Sequence, residues 1–346
     1  EKIFLPFIRY QIERALRTMP SIYLKSYREA GITPESIESI EDFWRIPPLP
    51  KDGAAGHVGL REKVEQSGYV VVEPNDLEEK GISTGAYFSG GTMGTAVPTF
   101  LTDWDIEVES QASIRGLYAC DIKPKSVILN TYNVSHKGGY VITKALCSLP
   151  GVHYIQAKNT DGPKNLVELI KNGSREGKEL LLVGAQPPIR EGDIQQKGSG
   201  RDLFSIIREN AKIYNDRVDR ILLGGFRIIL EVEKMSRQGP PLGKPLTTIY
   251  GSTEVMPAFY GTPYDKSNPD KICTFNNLHA MFGPHYVEVL KLDERFKRWV
   301  PAKVGEKGAL AFTTPFRQGT IYLRYLIGDV ATIKRAEQDC ECKKTL

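Results

Sequence analysis

The alternation of strand-like and helix-like stretches is the feature that most constrains how this chain can fold. Four apolar runs typical of buried strands lie at Ser126–Leu129, Leu180–Gly184, Arg220–Gly224 and Thr247–Tyr250. Helical periodicity is present at Phe7–Arg17, Thr102–Cys120, Lys164–Asn172, Arg201–Ala211 and Ile229–Gln238. Strands that alternate with helices pair in parallel, so the sequence predicts an α/β fold with helices on both faces of parallel sheets.

The pattern changes after residue 285, where short β segments follow one another at close spacing. These segments are Tyr286–Leu292, Gly308–Thr313 and Ile321–Tyr325, and they predict a small antiparallel β unit near the C-terminus. The 346 residues, 40% of them hydrophobic, suffice for one large core or two packed subdomains. We therefore expect an α/β core over residues 1–285 and a β-rich subdomain over residues 286–346.

A polar, glycine-rich segment, YFSGGTMGTAVP, occupies residues 87–98. Gly90, Gly91 and Gly94 permit tight turns that direct successive backbone N–H groups at an anion, and Ser89 and Thr92 add hydroxyl donors. The segment fits neither the GxxxxGK[ST] nor the GxGxxG pattern. It is therefore either a phosphate-binding loop of another type or an ordinary surface turn.

Two more polar segments follow strand-like runs farther along the chain. The first is Tyr250-Gly251-Ser252-Thr253-Glu254, and the second is the run from residue 321 that closes on Gly328-Asp329. In α/β folds, ligands bind beyond the carboxyl ends of strands, so these segments and the glycine-rich loop could belong to one site.

The three segments, in this order, resemble the adenylate-forming enzymes, the superfamily of acyl-CoA synthetases, luciferases and peptide-synthetase adenylation domains. The chain is most similar to their phenylacetate-CoA ligase branch. Ser89–Gly94 matches the Ser/Thr/Gly-rich loop of that family, Tyr250–Glu254 matches YG-x-[ST]-E, and Tyr325–Asp329 matches Y-x-TGD. The resemblance spans nearly the whole chain and implies the large N-terminal domain of such an enzyme, with the small C-terminal lid domain expected to be absent here.

The resemblance implies an AMP-forming ligase that activates a carboxylic acid, an aryl acid being favoured, with Mg-ATP and then transfers the acyl group to coenzyme A. The residues that it places on the phosphates are those of the glycine-rich loop: Ser89, Gly90, Gly91, Thr92 and Gly94. Thr253 would contact the α-phosphate, Glu254 would help to bind Mg²⁺, and Asp329 would accept both ribose hydroxyls.

The resemblance also assigns residues to the adenine and to the acid. The Gly224-Gly225 turn would flank the adenine and Tyr250 would stack on it, with Gly251 and Ser252 next to it in the same cofactor-binding segment. His136 would lie near the substrate carboxylate. An equally open interpretation of His136 is a cap on the helix that follows it.

The sequence departs from the family pattern at two places within these motifs. No lysine follows Gly94, so the flexible lysine usually found near the phosphates is missing from the loop. The Glu-Pro pair that usually ends the adenine turn is replaced by Phe226-Arg227. The missing lysine is expected to weaken turnover more than binding.

Three cysteines and a histidine form a candidate metal site. Cys340 and Cys342 make a Cys-x-Cys, and Cys273 precedes His279 at short spacing. Three thiols and an imidazole suit tetrahedral Zn²⁺, whereas the alternative is four independent residues with the cysteines as small buried hydrophobes. The resemblance favours a structural zinc, because many phenylacetate-ligase-like proteins carry this order of residues; His285 is a spare candidate.

Charge and hydropathy limit the partners. The chain has 46 Lys and Arg against 42 Asp and Glu, a net charge of +4, and the charges are dispersed, so no nucleic-acid surface is expected. No run of about 18 apolar residues exists, which predicts no membrane partner and a cytoplasmic protein. The resemblance leaves a homodimer as an option for the assembly.

Two other functions remain open at this stage. An acyl-protein synthetase would pass the acyl group to a cysteine, but Cys120 and Cys147 lie in apolar contexts and are interpreted as core residues. The third option is a catalytically degenerate nucleotide-binding or ligand-binding protein on the same scaffold.

Overall fold

The computed structural model describes residues 4–53, 58–88, 95–132, 134, 136–156, 162–173, 178–185, 210–224, 246–262, 273, 277–281, 283–295, 298–335, 340 and 342. The glycine-rich loop at residues 89–94, Gly225, the predicted helix Ile229–Gln238 and nearly all of the predicted helix Arg201–Ala211 lie outside the described residues. The chain divides into two compact units. Unit 1 comprises Glu1–Val108, Thr253–Val255 and Phe282–Gln338, and unit 2 comprises Glu109–Ser252, Met256–Met281 and Asp339–Leu346. The predicted subdomain boundary at residue 285 stays a prediction.

Helices and strands alternate as the sequence predicts. The α-helices are α1 (Leu5–Thr18), α2 (Pro20–Ala30), α3 (Ile40–Phe43), α4 (Leu60–Ser67), α5 (Asp76–Glu79), α6 (Asp103–Ala119), α7 (Lys137–Cys147), α8 (Gly162–Gly173) and α9 (Ala211–Arg217). The strands are β1 (Leu49–Pro50), β2 (Gly85–Phe88), β3 (Pro98–Leu101), β4 (Val127–Asn130), β5 (His153–Gln156), β6 (Leu180–Ala185), β7 (Arg220–Gly224), β8 (Leu246–Tyr250), β9 (Phe259–Tyr260), β10 (His279–Ala280), β11 (Tyr286–Asp293), β12 (Arg298–Pro301), β13 (Lys307–Thr313) and β14 (Tyr325–Thr332).

Unit 2 is built on a seven-stranded sheet in the order β10-β9-β8-β7-β6-β4-β5. Five neighbouring strands, β5, β4, β6, β7 and β8, pair in parallel, and β9 and β10 add an antiparallel edge. Among them, β4, β6 and β7 are nearly continuous apolar runs, as expected of strands whose two faces are both covered. The α/β fold class predicted from the sequence is confirmed.

Unit 1 contains a five-stranded sheet in the order β1-β14-β13-β11-β12 and a separate β2–β3 hairpin. The pairs among β11, β12, β13 and β14 are antiparallel, and β1 joins β14 in parallel. The antiparallel β unit expected near the C-terminus is therefore confirmed. On α1, Ile8, Ile12 and Ala15 recur at helical spacing and are fully buried, so the amphipathic face of this helix contributes to the core.

The predicted strand Ile321–Tyr325 is wrong in its position, because β14 begins only at Tyr325. The preceding residues are held by threonine side chains instead of a strand ladder. Thr314 Oγ1 accepts from the Tyr322 backbone N–H at 3.0 Å, and Thr313 Oγ1 accepts from the Arg324 backbone N–H at 2.9 Å. Arg324 also has a φ of 47°, which ends the extended conformation.

None of the described helices is both long enough and apolar enough to cross a membrane.

Candidate functional site

Glu254 lies at the centre of a buried group of polar side chains in unit 1. Its Oε1 atom lies 2.6 Å from Lys51 Nζ and accepts a hydrogen bond of 3.1 Å from the Tyr325 hydroxyl. Arg317 Nη1 donates to the Glu254 backbone carbonyl at 2.7 Å. The Glu254 side chain is 1% exposed and that of Lys51 is 15% exposed. A carboxylate can be buried to this extent when a cation and a hydrogen-bond donor lie against it.

Strand register brings Lys51 to Glu254. In the parallel pair of β1 and β14, Leu49 lies opposite Tyr325 and Pro50 opposite Leu326. The Lys51 backbone N–H donates to the Leu326 carbonyl at 3.0 Å, which extends the ladder by one residue. Burial raises the pKa of Tyr325, and the charge of the Glu254 carboxylate raises it further. The Tyr325 phenol therefore keeps its proton and acts as a donor.

Side chains of unit 1 bind both residues that flank the glycine-rich loop. Thr253 Oγ1 donates at 3.3 Å to the carbonyl of Phe88, the last described residue before the loop. Arg61 donates to the carbonyl of Thr95, the first described residue after it. Asp52 in turn holds Arg61, with 2.5 Å between Asp52 Oδ1 and Arg61 Nε. The residue immediately before the loop is thus bound by the residue that immediately precedes Glu254.

The sequence pattern placed Asp329 at the end of a strand. In the structure, Asp329 lies within β14. In the β13–β14 ladder, Ala309 pairs with Val330 and Ala311 with Leu326, so the residues between Leu326 and Val330 form an irregular bulge. Gly328 has a φ of 101°, a conformation that suits glycine. Asp329 is exposed, and its role toward the ribose stays a prediction.

In unit 2, residues predicted to contact the adenine lie at the carboxyl ends of two adjacent parallel strands. Gly224 is the last residue of β7 and pairs with Ile249 of β8. Tyr250 is the last residue of β8, and Gly251 and Ser252 follow it. The structure thus brings these four predicted residues to one edge of the sheet, where ligands bind in α/β folds.

Two contacts define this edge more closely. The ring of Tyr250 lies edge-to-face against Phe259, with centroids 5.5 Å apart. A Cβ atom on Gly224 would lie 2.5 Å from the Tyr132 hydroxyl oxygen and 2.6 Å from Ile249 Cγ1. Only glycine fits at Gly224 without displacing these neighbours.

His136 is the N-cap residue of α7. Its Nδ1 atom accepts a hydrogen bond of 3.2 Å from the Gly138 backbone N–H, which is the capping interpretation made from the sequence. The next residue, Lys137, is buried, and its Nζ lies 2.8 Å from Glu109 Oε1 of α6. This ion pair fixes the first turn of α7. A contact between His136 and the substrate carboxylate stays a prediction.

The structure brings the four predicted metal ligands, Cys273, His279, Cys340 and Cys342, together in unit 2. Their ligand atoms all lie within 4.8 Å of one another. The Sγ atoms of Cys273 and Cys340 are 3.2 Å apart, and His279 Nε2 is 3.1 Å from Cys342 Sγ. Tetrahedral zinc–thiolate bonds place ligand atoms about 3.8 Å apart, which lies within this range. The cluster contains His279 and not His285, a buried residue of unit 1.

The edge strands β9 and β10 position the cluster. His279 lies opposite Tyr260 in the β9–β10 pair, and their rings stack with centroids 5.5 Å apart. The Cys273 carbonyl accepts from the Thr262 backbone N–H at 2.5 Å. Burial raises the pKa of the Cys273 thiol above its ordinary value, and the neighbouring thiols raise it further; burial also lowers the pKa of His279. Thiolates this close together need a cation to offset their charge.

Cys120 and Cys147 differ in exposure. Cys120 is 2% exposed, and its thiol lies 3.5 Å from the Gly261 carbonyl oxygen, as expected of a core residue. Cys147 is exposed, so its assignment to the core is wrong. The reason is its place at the end of α7, whose buried face is occupied by Val141 and Ala145. Partial burial still raises the pKa of the Cys147 thiol.

Sequence patterns missed Lys51 as a site residue. The residue ends a proline-rich stretch that was matched to the family without a role for the lysine; only the β1–β14 register shows that it meets Glu254. The sequence did contain one indication, a lysine that directly follows the short apolar strand β1.

Several solved structures are similar to this chain. The open conformation of 2-hydroxyisobutyryl-CoA ligase, in complex with 2-HIB-AMP and CoA, aligns with a TM-score of 0.65 and 16% identity, over 96% of this chain and 69% of that one. The same ligase in the thioesterification state gives a TM-score of 0.68 and 16% identity, over 99% and 65%. The ATP-bound RpMatB-BxBclM chimera B3 gives 0.50 and 14%, over 72% and 46%.

No protein-family model and no curated protein matches the sequence. The chain spans between 62% and 69% of the length of the 2-hydroxyisobutyryl-CoA ligase chains to which it is similar. At these identities the similarity shows the fold: the chain has the mixed α/β fold of the adenylate-forming enzymes.

Proposed function

We propose that this protein is an AMP-forming ligase that activates a carboxylic acid with Mg-ATP and passes the acyl group to the thiol of coenzyme A. The main support is the buried carboxylate of Glu254, which contacts Lys51 and Tyr325. The preceding residue, Thr253, binds the carbonyl of Phe88, immediately before the glycine-rich loop. An oxygen ligand for Mg²⁺, a fixed cation and a loop rich in N–H groups are what a triphosphate site needs.

We further propose that the protein belongs to the phenylacetate-CoA ligase branch and that its substrate is an aryl acid. The support is the sequence motifs, with a fold shared with known CoA ligases. The acyl group named for the 2-hydroxyisobutyryl-CoA ligase is aliphatic, so a test must include both classes of acid.

The first step forms an acyl-adenylate. An oxygen of the substrate carboxylate attacks the α-phosphorus of ATP, a new P–O bond forms, and the bond to pyrophosphate breaks. Lys51 fixes the Glu254 carboxylate through their 2.6 Å ion pair. Glu254 would be a protein ligand of Mg²⁺, and the bound ion would supply positive charge at the phosphates.

The second step forms the thioester. The thiol sulfur of coenzyme A attacks the acyl carbon, the bond between that carbon and the AMP oxygen breaks, AMP leaves, and the thiol proton is released to solvent. The roles of Gly224, Tyr250 and Asp329 toward the nucleoside, and of His136 toward the acid, are proposals from the resemblance.

We propose that Cys273, His279, Cys340 and Cys342 hold a structural Zn²⁺. Three thiols and an imidazole at the observed spacing fit the ion, and four protein ligands leave no open position for a reacting water. The ion would join the Cys-x-Cys segment to the β9–β10 pair within unit 2.

The cysteine-transfer alternative receives no support from the two candidate thiols. Cys120 is buried, and the raised pKa of Cys147 lowers its thiolate fraction at neutral pH. The degenerate-scaffold alternative is decided by the experiment below. A homodimer and a cytoplasmic location stay predictions.

Exchange of labelled pyrophosphate into ATP tests the proposal directly. We expect Mg²⁺-dependent exchange with at least one acid from a panel of aryl and aliphatic acids. Glu254→Gln should slow exchange by about 100-fold and Lys51→Met by about tenfold, because each removes charge that the reaction needs. If Mg-ATP binds but no acid supports exchange, the protein is a catalytically degenerate nucleotide-binding protein and the ligase proposal is refuted.

Lys291→Met is the matched control. It removes another Lys–Glu ion pair of unit 1, the 2.8 Å contact between Lys291 and Glu306, whose side chains are 52% and 35% exposed. Exchange in this variant should equal that of the parent protein. A slowing equal to that of Lys51→Met would mean that loss of positive charge anywhere in the unit accounts for the effect.

A further inference from the structure

Tyr132 is a buried phenol whose hydroxyl has no hydrogen-bond partner among the residues that the structure describes. The residue is 5% exposed. A buried hydroxyl without a partner is unfavourable, so its retention needs an explanation. Tyr27 and Tyr214 also have buried hydroxyls without a described partner, so this property alone does not indicate a binding group. Tyr132 differs from them in its location and in the bonds that hold its backbone.

Tyr132 lies at the edge of the unit 2 sheet where ligands bind. It follows the end of β4 by two residues, and its hydroxyl reaches the end of β7, where a Cβ on Gly224 would lie 2.5 Å from it. Because β6 separates β4 from β7 in the sheet, the phenol extends across the carboxyl ends of these strands. Tyr214, in contrast, lies on α9, which leads into the amino end of β7.

Two side chains fix the backbone of Tyr132. Its N–H donates to Asn130 Oδ1 at 3.1 Å, and its carbonyl accepts from Gln156 Nε2 at 3.0 Å. Asn130 and Gln156 also bind each other, with 3.0 Å between Asn130 Nδ2 and Gln156 Oε1. Asn130 is fully buried and further contacts Thr143 Oγ1 at 3.0 Å. Bonds to both backbone groups fix the point from which the side chain starts, which lowers the entropy cost of ordering it on a ligand.

We propose that the Tyr132 hydroxyl determines substrate specificity by donating a hydrogen bond to the acyl part of the acid. The substrate would then be a carboxylic acid with an acceptor oxygen or nitrogen, such as an ether or ketone, away from its carboxylate. The inference rests on the proposed function. The acid is chosen over the adenine because Tyr132 and His136 lie on the same β4–α7 connection, and the resemblance assigns His136 to the acid. The hydroxyl also lies near Gly224, which the resemblance assigns to the adenine, so nucleotide binding is part of the test.

The phenol can serve as a donor at neutral pH. Burial raises its pKa well above the ordinary value, so the hydroxyl keeps its proton. A buried donor also discriminates against an acid without an acceptor, because that acid would leave the hydroxyl desolvated and without a partner.

Calorimetric binding of matched acids tests the inference, in the presence of the α,β-methylene analogue of ATP, which blocks the reaction. The pairs are 4-methoxybenzoate with 4-ethylbenzoate and 4-oxopentanoate with 4-methylpentanoate, which differ mainly in one acceptor. We expect the acceptor-bearing acid of at least one pair to bind about three- to tenfold more tightly. Tyr132→Phe should abolish this preference and Tyr214→Phe should keep it.

The inference is overturned if no acid binds, if no pair is discriminated, or if the preference survives in Tyr132→Phe. Weaker binding of adenosine or AMP by Tyr132→Phe would assign the hydroxyl to the nucleotide and would also overturn it. Both Tyr→Phe variants should have an unfolding midpoint equal to or above that of the parent, since each removes a hydroxyl without a partner. A lower midpoint in Tyr132→Phe alone would reveal a partner within the protein.

The binding assay also separates this inference from the ligase proposal. A preference for acceptor-bearing acids without pyrophosphate exchange would refute the ligase and leave the Tyr132 site. Exchange without the preference would refute the Tyr132 site and leave the ligase.

Discussion

Lys51 and Glu254 form an ion pair in which the carboxylate is almost fully enclosed and the lysine retains some contact with solvent. Lys51→Met should lower the free energy of unfolding by about 2 kcal/mol, because it removes the cation that lies 2.6 Å from the buried carboxylate. Urea unfolding measures this change. Lys51→Arg keeps the charge and should lose less.

A double-mutant cycle decides whether the pair itself is responsible. The double variant Lys51→Met with Glu254→Gln should be less destabilised than the sum of the single variants by about 1 kcal/mol or more, since the second change removes the negative charge that Lys51 offsets. Strictly additive effects would show that Lys51 stabilises unit 1 through its aliphatic stem instead.

The site could be predicted from sequence where a residue belongs to a contiguous motif, and not where long-range register places it. Thr253 and Glu254 stood out because a polar pair follows a strand-like run. Lys51 did not, since its relation to Glu254 depends on the β1–β14 pairing. Tyr132 was missed for a similar reason: in the sequence, nothing marks a hydroxyl that will be buried without a partner.

At the scale of elements, an ion pair joins α1 to α5 within unit 1. Arg14 Nη2 lies 3.0 Å from Asp76 Oδ1, and Lys80 Nζ lies 2.8 Å from Asp76 Oδ2. Burial alone would raise the pKa of Asp76, but the hydrogen bonds and charges of Arg14 and Lys80 lower it to about 2. The folded pKa is below the unfolded one, so this carboxylate stabilises the fold above about pH 4, and its contribution is lost as the pH falls toward 2.

Asp76→Asn should therefore lower the free energy of unfolding by about 2 kcal/mol at pH 7 and by much less near pH 2.5. Urea unfolding at several pH values measures the difference. Asp216→Asn, an exposed change on α9, should alter stability by less than about 0.5 kcal/mol at either pH. A loss at Asp76 that does not depend on pH would mean that its contribution is steric.

The proposed zinc would join β10 to a segment that is distant in the sequence. The purified protein should contain about one zinc per chain, and Cys342→Ser should lose the metal and lower the unfolding midpoint, because a metal that binds only the folded state stabilises it. Cys147→Ser, at the exposed cysteine of α7, is the control and should keep the metal and the midpoint. Full stability without any bound metal would refute the structural role.

Element type was predictable where apolar periodicity is uninterrupted, as in α1 and in β4, β6, β7 and β8. It was not predictable at residues 321–324, which have the composition of a strand. There, Thr313 and Thr314 bind the backbone of the next segment, and Arg324 is buried in an ion pair with Glu288, with 3.2 Å between Arg324 Nη2 and Glu288 Oε1. Local composition does not encode such tertiary bonds.

At the scale of the whole molecule, the candidate groups for the two substrates fall in different units. Lys51 and Glu254 belong to unit 1, and Tyr132 and His136 belong to unit 2. If the first pair serves the triphosphate and the second pair the acid, changes in each pair should affect one ligand and spare the other.

Ligand-induced stabilisation of the intact chain measures both effects in one assay. Mg-ATP at 100 times its Kd should raise the free energy of unfolding by about 2.7 kcal/mol. Lys51→Met should reduce that gain at the same ligand concentration, whereas Tyr132→Phe should leave it unchanged and reduce only the gain from an acceptor-bearing acid. The double variant should show the sum of the two losses, because independent sites act additively. Loss of the Mg-ATP effect in Tyr132→Phe would contradict the assignment, since a neutral phenol reserved for the acid has no charge to offer a triphosphate.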